Sequence, residues 1–128
     1  MTISGPFCYV DRLIQDKMKD AFVAVLPQTI DSKHALFKSL ASLLVFPAYF
    51  GFNWDALFDC FRDFSWIKEY DIVLIHLGLP MLPQQEMKIY LRLLRNSVLD
   101  WHPGEAHRFG VIFPESDKEI VERLLQDE

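Results

Sequence analysis

The spacing of apolar residues changes several times along the chain, and each change marks an element. The run AFVAVL at 21–26 is continuous, β-branched and aromatic, and Pro27 closes it, which predicts a short buried strand. Asp31 or Ser32 then offers a side-chain oxygen to the free N–H groups of a first helical turn. Leu36, Phe37, Leu40, Leu43 and Leu44 follow at helical spacing as one buried stripe, with Pro47 as the stop. After a connection of proline, aromatics and Gly51, Asn53 is a good N-cap for a second helix of about 11 or 12 residues. DIVLIHL at 71–77 predicts another buried strand, and Pro83 suits the first turn of a third helix, where its missing N–H costs nothing. Met87, Leu91, Leu94, Val98 and Trp101 share one side of that helix until Pro103-Gly104. RFGVIF at 108–113 predicts a third strand. Ser116 and Glu119 have capping-box spacing, opening a last helix with Ile120, Val121, Leu124 and Leu125 inward. At the start, residues 7–10 read as an edge strand and 11–20 as a polar connection.

Strands separated by helices lie parallel, with right-handed crossovers and helices on the sheet. The expected fold class is therefore α/β: a small three-stranded parallel sheet covered by helices, with residues 7–10 as a candidate fourth strand. Strand order stays open. There is no repeat, low-complexity tract or linker, and 128 residues are too few for two ordinary domains. One domain over 1–128 is expected.

Composition narrows the function. At 51% hydrophobic and 24% charged, the chain can bury a core. A net charge of −5 argues against binding a phosphate backbone by bulk charge, so no direct nucleic-acid partner is expected; a basic partner is favoured. Cys8 and Cys60 are too few for a disulfide framework or a four-thiolate metal site. The uncharged stretch at 39–54 is broken by Pro47 and Gly51 and is short of the ~20 residues a spanning helix needs. With no basic leader and apolar run at the start, the expectation is a soluble, reduced, cytoplasmic protein with no membrane partner.

The second helix has two unlike faces. With Asp55 at zero on a wheel turning ~100° per residue, Asp59 and Asp63 fall about 40° and 80° away as a row of acids. Trp54, Leu57, Phe58, Phe61 and Phe64 lie roughly opposite, with Phe58 at the seam. Like charges at i, i+4 cost an isolated helix about 0.2–0.5 kcal/mol per pair, a cost recovered when a cation docks. The plainer alternative is a solvated face: Asp55 suits the helix dipole near Asn53, and Arg62 is three residues from Asp59, within reach of an ordinary surface pair.

PAYFGFNWDALFDCF resembles the signature of the barstar family, intracellular inhibitors of microbial ribonucleases. The pattern is a proline, two aromatics and a glycine, then Asn, an apolar residue, Asp-Ala-Leu, an aromatic, Asp and Cys. Here it falls on Pro47, Tyr49, Phe50, Gly51, Asn53, Trp54, Asp55, Ala56, Leu57, Phe58, Asp59 and Cys60. The strong similarity spans about an eighth of the chain, and the element order from 21 to 113 is compatible with a barstar-like fold. The resemblance implies that this helix and its preceding loop plug a nuclease active site, with Tyr49, Asn53, Asp55, Phe58 and Asp59 facing the enzyme. Asp59 would insert deepest among the cations, and Tyr49 and Phe58 would add apolar contact. Gly51 and Asp63 complete the expected partner-binding set.

The chain also departs from the family. Phe58 stands where the prototype has tryptophan. A carboxylate on the later helix aligns near Asn96, with Asp100 the nearest acid, and Asp63 replaces an expected small residue. Residues 1–20 are an N-terminal extension and 114–128 an extra C-terminal helix.

Other constellations are weaker. His102 and His107 with Glu105 between them could bind a metal, but a helix–strand turn explains them more simply. No serine elbow or glycine-rich phosphate loop appears. Asp55 and Asp59 on a convex helix make a poor hydrolase. The expected protein is thus not an enzyme and uses no cofactor or metal. It is an immunity-type inhibitor of a basic ribonuclease or nuclease toxin, a monomer when free. The alternative is an acidic docking module for a basic non-nuclease protein.

Overall fold

The computed structural model describes residues 2–11 and 18–126. Its strands are β1 (Thr2–Ser4), β2 (Phe7–Val10), β3 (Phe22–Leu26), β4 (Asp71–His76) and β5 (Arg108–Pro114). Its helices are α1 (Lys33–Leu43), α2 (Trp54–Phe61), α3 (Gln84–Asp100) and α4 (Lys118–Gln126). The strands form one sheet in the order β1-β2-β5-β4-β3. The last four run parallel, with Tyr9 opposite Phe113 and Ala24 opposite Leu74, which is the expected α/β architecture with 7–10 as the fourth parallel strand. That strand is not an edge, however, because β1 pairs antiparallel along its outer side. The two join through Gly5-Pro6, where Gly5 has φ 61, the left-handed first corner that a tight hairpin turn needs.

Alternation sorts the two faces of the sheet. Phe7, Tyr9, Ala24, Leu26, Ile72, Leu74, Phe109, Val111 and Phe113 join the buried residues of all four helices in the main core. Val10, Ile75 and Ile112 form a smaller cluster, with Met18 and Val73 packed against it. Met18 thus lies on this second face shortly before β3. The polar connection predicted over 11–20 lies largely outside the described residues.

The helix boundaries settle the choice between Asp31 and Ser32 and depart from the sequence reading in three other places. Ser32 is the N-cap of α1, its hydroxyl accepting from the Ala35 N–H at 3.1 Å. That helix stops before Pro47: Phe46 N–H donates to the Ala41 carbonyl at 2.9 Å across Val45, whose φ is 56. This is the left-handed C-terminal turn usually given to glycine. Pro83 sits one position outside α3, as its N-cap with ψ 148. No capping box forms at Ser116, because the chain tightens into a 3-10 turn over Glu115–Asp117 before α4 begins. Val121 and Leu124 of α4 are buried, but Ile120, expected inward, is 39% exposed.

The two ends of the chain build one edge of the molecule. Phe7 meets Phe113 edge-on at 5.2 Å, Tyr9 stacks on it at 6.2 Å, and the Lys118 ammonium lies 5.9 Å over Tyr9. Beside them His76 is buried and stacked on Phe113 at 4.2 Å. Its Nδ1–H donates to the Ile112 carbonyl (3.1 Å), so Nε2 accepts from the Tyr90 hydroxyl (2.6 Å). Burial pulls its pKa down to about 4. No helix among the described residues is long and apolar enough to cross a membrane.

Candidate functional site

The segment from Val45 to Phe64 is held by its own polar groups. Asn53 is the N-cap of α2 as expected: its Oδ1 accepts from the Ala56 N–H at 2.8 Å, and its Nδ2 donates to the Gly51 carbonyl at 3.2 Å. A Cβ at Gly51 would sit 3.1 Å from Asn53 Nδ2 and 3.7 Å from Ala56 Cβ, so this close approach favours the missing side chain. Asp55 then stands in the first turn, where the helix dipole favours a negative charge.

α2 is shorter than predicted, eight residues rather than about 11 or 12. Two local choices end it. The Asp63 carboxylate accepts from the Ser65 N–H at 3.2 Å, and Phe64 turns left-handed at φ 52. The turn buries Phe64 completely against Phe61 and Phe109 and brings the Trp66 indole N–H to the Leu44 carbonyl at 2.8 Å. Burial of two aromatic rings outweighs the propensity to continue the helix.

Asp63 therefore does not extend the row of acids along the helix. Asp55 and Asp59 are exposed on α2, whereas Asp63, also exposed, stands beyond its end. With Asp59 and Tyr49 it borders a cleft of about 210 Å³, whose other walls include Phe50, Gly51 and Ala56. Tyr49 is 72% exposed. Desolvation on the side of its hydroxyl, then the Asp63 charge, Cys60 and a hydrogen bond to Asp63, raise its pKa. Cys60 is buried on the cleft's inner wall, and burial, then the charges of Asp63 and Asp59, push its thiol up to about 11. It is an unreactive packing thiol.

Arg62, the cation the sequence places within reach of Asp59, turns the other way. Its Nε lies 2.6 Å from Asp100 and Nη2 3.6 Å from Glu105, with the guanidinium 4.2 Å over the Trp101 ring. Trp101 in turn donates its indole N–H to the Phe61 carbonyl at the end of α2 (2.8 Å). Among the described residues, no salt bridge reaches Asp55 or Asp59. Asp100, the nearest acid on the later helix, is thereby paired with Arg62. Asn96 does reach the site: it lines a groove between α2 and α3 with Asp55, Phe58, Asp59, Arg92 and Leu93. Phe58 is half-buried at that seam, as its wheel position predicts.

The three non-glycine residues with positive φ among those described are Val45 (56°), Phe52 (52°) and Phe64 (52°), all on this one segment. Each costs roughly 1–2 kcal/mol relative to an ordinary backbone. Phe52 is a site neighbour that sequence pattern does not reveal, since nothing in its type announces a left-handed turn. The histidine turn separates: His107 is buried, its Nδ1–H donating to the Glu69 carbonyl at 2.8 Å, while His102 is exposed. No group of three potential metal ligands occurs among the described residues.

Comparison with curated proteins gave no match. Comparison with protein families matches residues 21–113 to Barstar (barnase inhibitor), a span running from the residue before β3 to the last core residue of β5. It takes in the acidic helix, its loop and the sheet that carries them, and leaves out the β1–β2 hairpin and α4. With most of the chain covered and the four-stranded parallel sheet in place, this protein belongs to the barstar family.

Proposed function

We propose that this chain inhibits a basic microbial ribonuclease, binding it one-to-one and blocking its substrate cleft with α2 and the preceding loop. The observation that carries this reading is the pair Asp55 and Asp59: both exposed, one turn apart, with Arg62 drawn off to Asp100 and Glu105. A ribonuclease cleft is lined with cations that hold phosphate, and carboxylates on a rigid helix can occupy the same positions. Asp59 enters deepest, with Asp55 beside it and Tyr49 and Phe58 as flanking apolar contacts. Asn53 and Gly51 hold the loop against the helix, and Asp63, hydrogen-bonded to Tyr49, adds a third charge. Charge steering of this kind is best known from the barnase–barstar pair itself.

The same reading makes the chain a cytoplasmic immunity partner of a nuclease toxin, monomeric until it meets its target. Titrating the protein against barnase and a panel of small basic microbial ribonucleases tests it. Inhibition should be stoichiometric and should weaken as salt rises. If inhibition of a responsive enzyme is unchanged by Asp59→Ala, the binding mode is wrong. If no ribonuclease responds and a pull-down retains a basic non-nuclease protein, the acidic face is a docking module instead.

A further inference from the structure

Phe52 carries no charge and belongs to no part of the acid pair, yet the loop displays it. It is 47% exposed and holds a left-handed backbone at φ 52. A residue just before an N-cap often packs on the fourth residue of the helix. That residue here, Leu57, is fully buried, and Phe52 instead leans on Phe50 at 4.9 Å and stacks on His34 at 5.9 Å. His34 is exposed on the first turn of α1. Phe52 and His34 thus make an aromatic ledge that reaches from the loop to a second helix. The same loop exposes Tyr49 at 72%, and Val45 at 60% precedes it, whereas other exposed large hydrophobics such as Leu77, Leu99 and Ile120 lie elsewhere along the chain.

We infer that Phe52 and His34 form a second contact surface for the same ribonuclease, seating an uncharged apolar stretch on the rim of its cleft. The inference rests on the function proposed above. The ledge adjoins Gly51 and Asn53 of the inhibitory loop, so an enzyme engaged by Asp59 has its rim nearby. Lys33 and Lys38, both exposed on α1, would keep a cationic segment off this side. Aromatic residues flanking a charged anchor are also the residues that carry contact energy at interfaces.

The probe is the first enzyme, among barnase and the ribonuclease panel, that the unmodified protein inhibits. Phe52→Asn removes the ring but keeps a residue that accepts a left-handed backbone. It should raise Kd about tenfold while leaving the salt dependence unchanged, because the lost contact is apolar. Phe52→Tyr should restore binding, and His34→Ala should cost about two- to threefold. A Phe52→Asn Kd within twofold of the unmodified protein, with Asp59→Ala strongly impaired, overturns the ledge and leaves the inhibitor reading standing. If Phe52→Asn weakens binding but also lowers the melting temperature, and binding recovers on cooling, Phe52 positions the loop and the contact is refuted. An unchanged Asp59→Ala, or a panel with no inhibited enzyme, removes both.

Discussion

Two short helices of similar length carry charge to the surface in opposite ways. α2 has eight residues, and the two that are exposed, Asp55 and Asp59, are both acids. α4 has nine and mixes signs: Lys118 and Glu122 are four apart, as are Glu119 and Arg123. The second arrangement suits an ordinary solvated face, whose charges support one another at i, i+4. The first is unbalanced, and the cation at its end is engaged elsewhere. On the function proposed above, the segregation of sign, more than the number of charges, is what distinguishes the docking helix from a solvated one. Family membership follows the same division, since the matched span includes α2 and excludes α4. The terminal helix α4 works instead through its inner side, where Val121 and Leu124 are buried in the main core and the helix packs on α3.

Charge reversal should separate the two helices most clearly. Asp59→Lys places like charges together in the enzyme's cleft, which costs several kcal/mol, about a thousandfold or more in inhibition; the scale for such pairs comes in part from barnase–barstar itself. Glu119→Lys on α4 should leave inhibition within about twofold, as surface pairs contribute little. Parallel titrations of the two variants against one ribonuclease measure the contrast.

Acid should act on the other region. His76 is stacked on Phe113, at the seam between the family span and the terminal unit. Its folded pKa, about 4, lies below the unfolded value near 6.5, so between them the folded state binds fewer protons. The stability is intact above pH 6.5 and falls as the pH drops toward 4, by up to about 3 kcal/mol. Urea unfolding at pH 4.5 and 7 should show this loss, and His76→Phe should flatten it.

Leu124→Ala should cost about 2 kcal/mol of stability through lost burial and a residual cavity. Well below the melting temperature, its inhibition should match that of the unmodified protein. Thermal melts alongside enzyme titrations separate the two quantities, and a loss of inhibition in the folded variant would give α4 a part in binding. Asn53→Ala should cost less stability than Leu124→Ala, about 1 kcal/mol for a lost N-cap. It should lower stability and inhibition together, because Asn53 Oδ1 caps α2 and Nδ2 holds the Gly51 carbonyl.

Much of the fold was legible because burial leaves a period in the sequence. The continuous runs of β3 and β4, the stripes of α1 and α3, and the Asn53 cap all report local geometry. The placement of Asp55 and Asp59 outside was legible for the same reason: four residues along a helix return nearly to the same face, opposite Leu57 and Phe61. The wheel failed at Asp63 because it assumes that the helix continues. Whether it does depended on where Phe64 and Trp66 could be buried, and their partners Phe109 and Leu44 are distant in sequence. The Arg62–Asp59 pair that spacing allows is likewise set aside, since Arg62 pairs with Asp100, a neighbour 38 residues away.

The kinds of element, their parallel disposition and the outward acids of α2 follow from contacts within a turn or from the alternation of a strand, and spacing records them. Long-range packing set β2 between β1 and β5, Asp63 against Tyr49, and Phe52 on His34. Those outcomes depend on which buried surfaces meet across long stretches of chain. Local spacing carries no record of that competition, because closing a long loop costs little more than closing a short one and packing settles the partner.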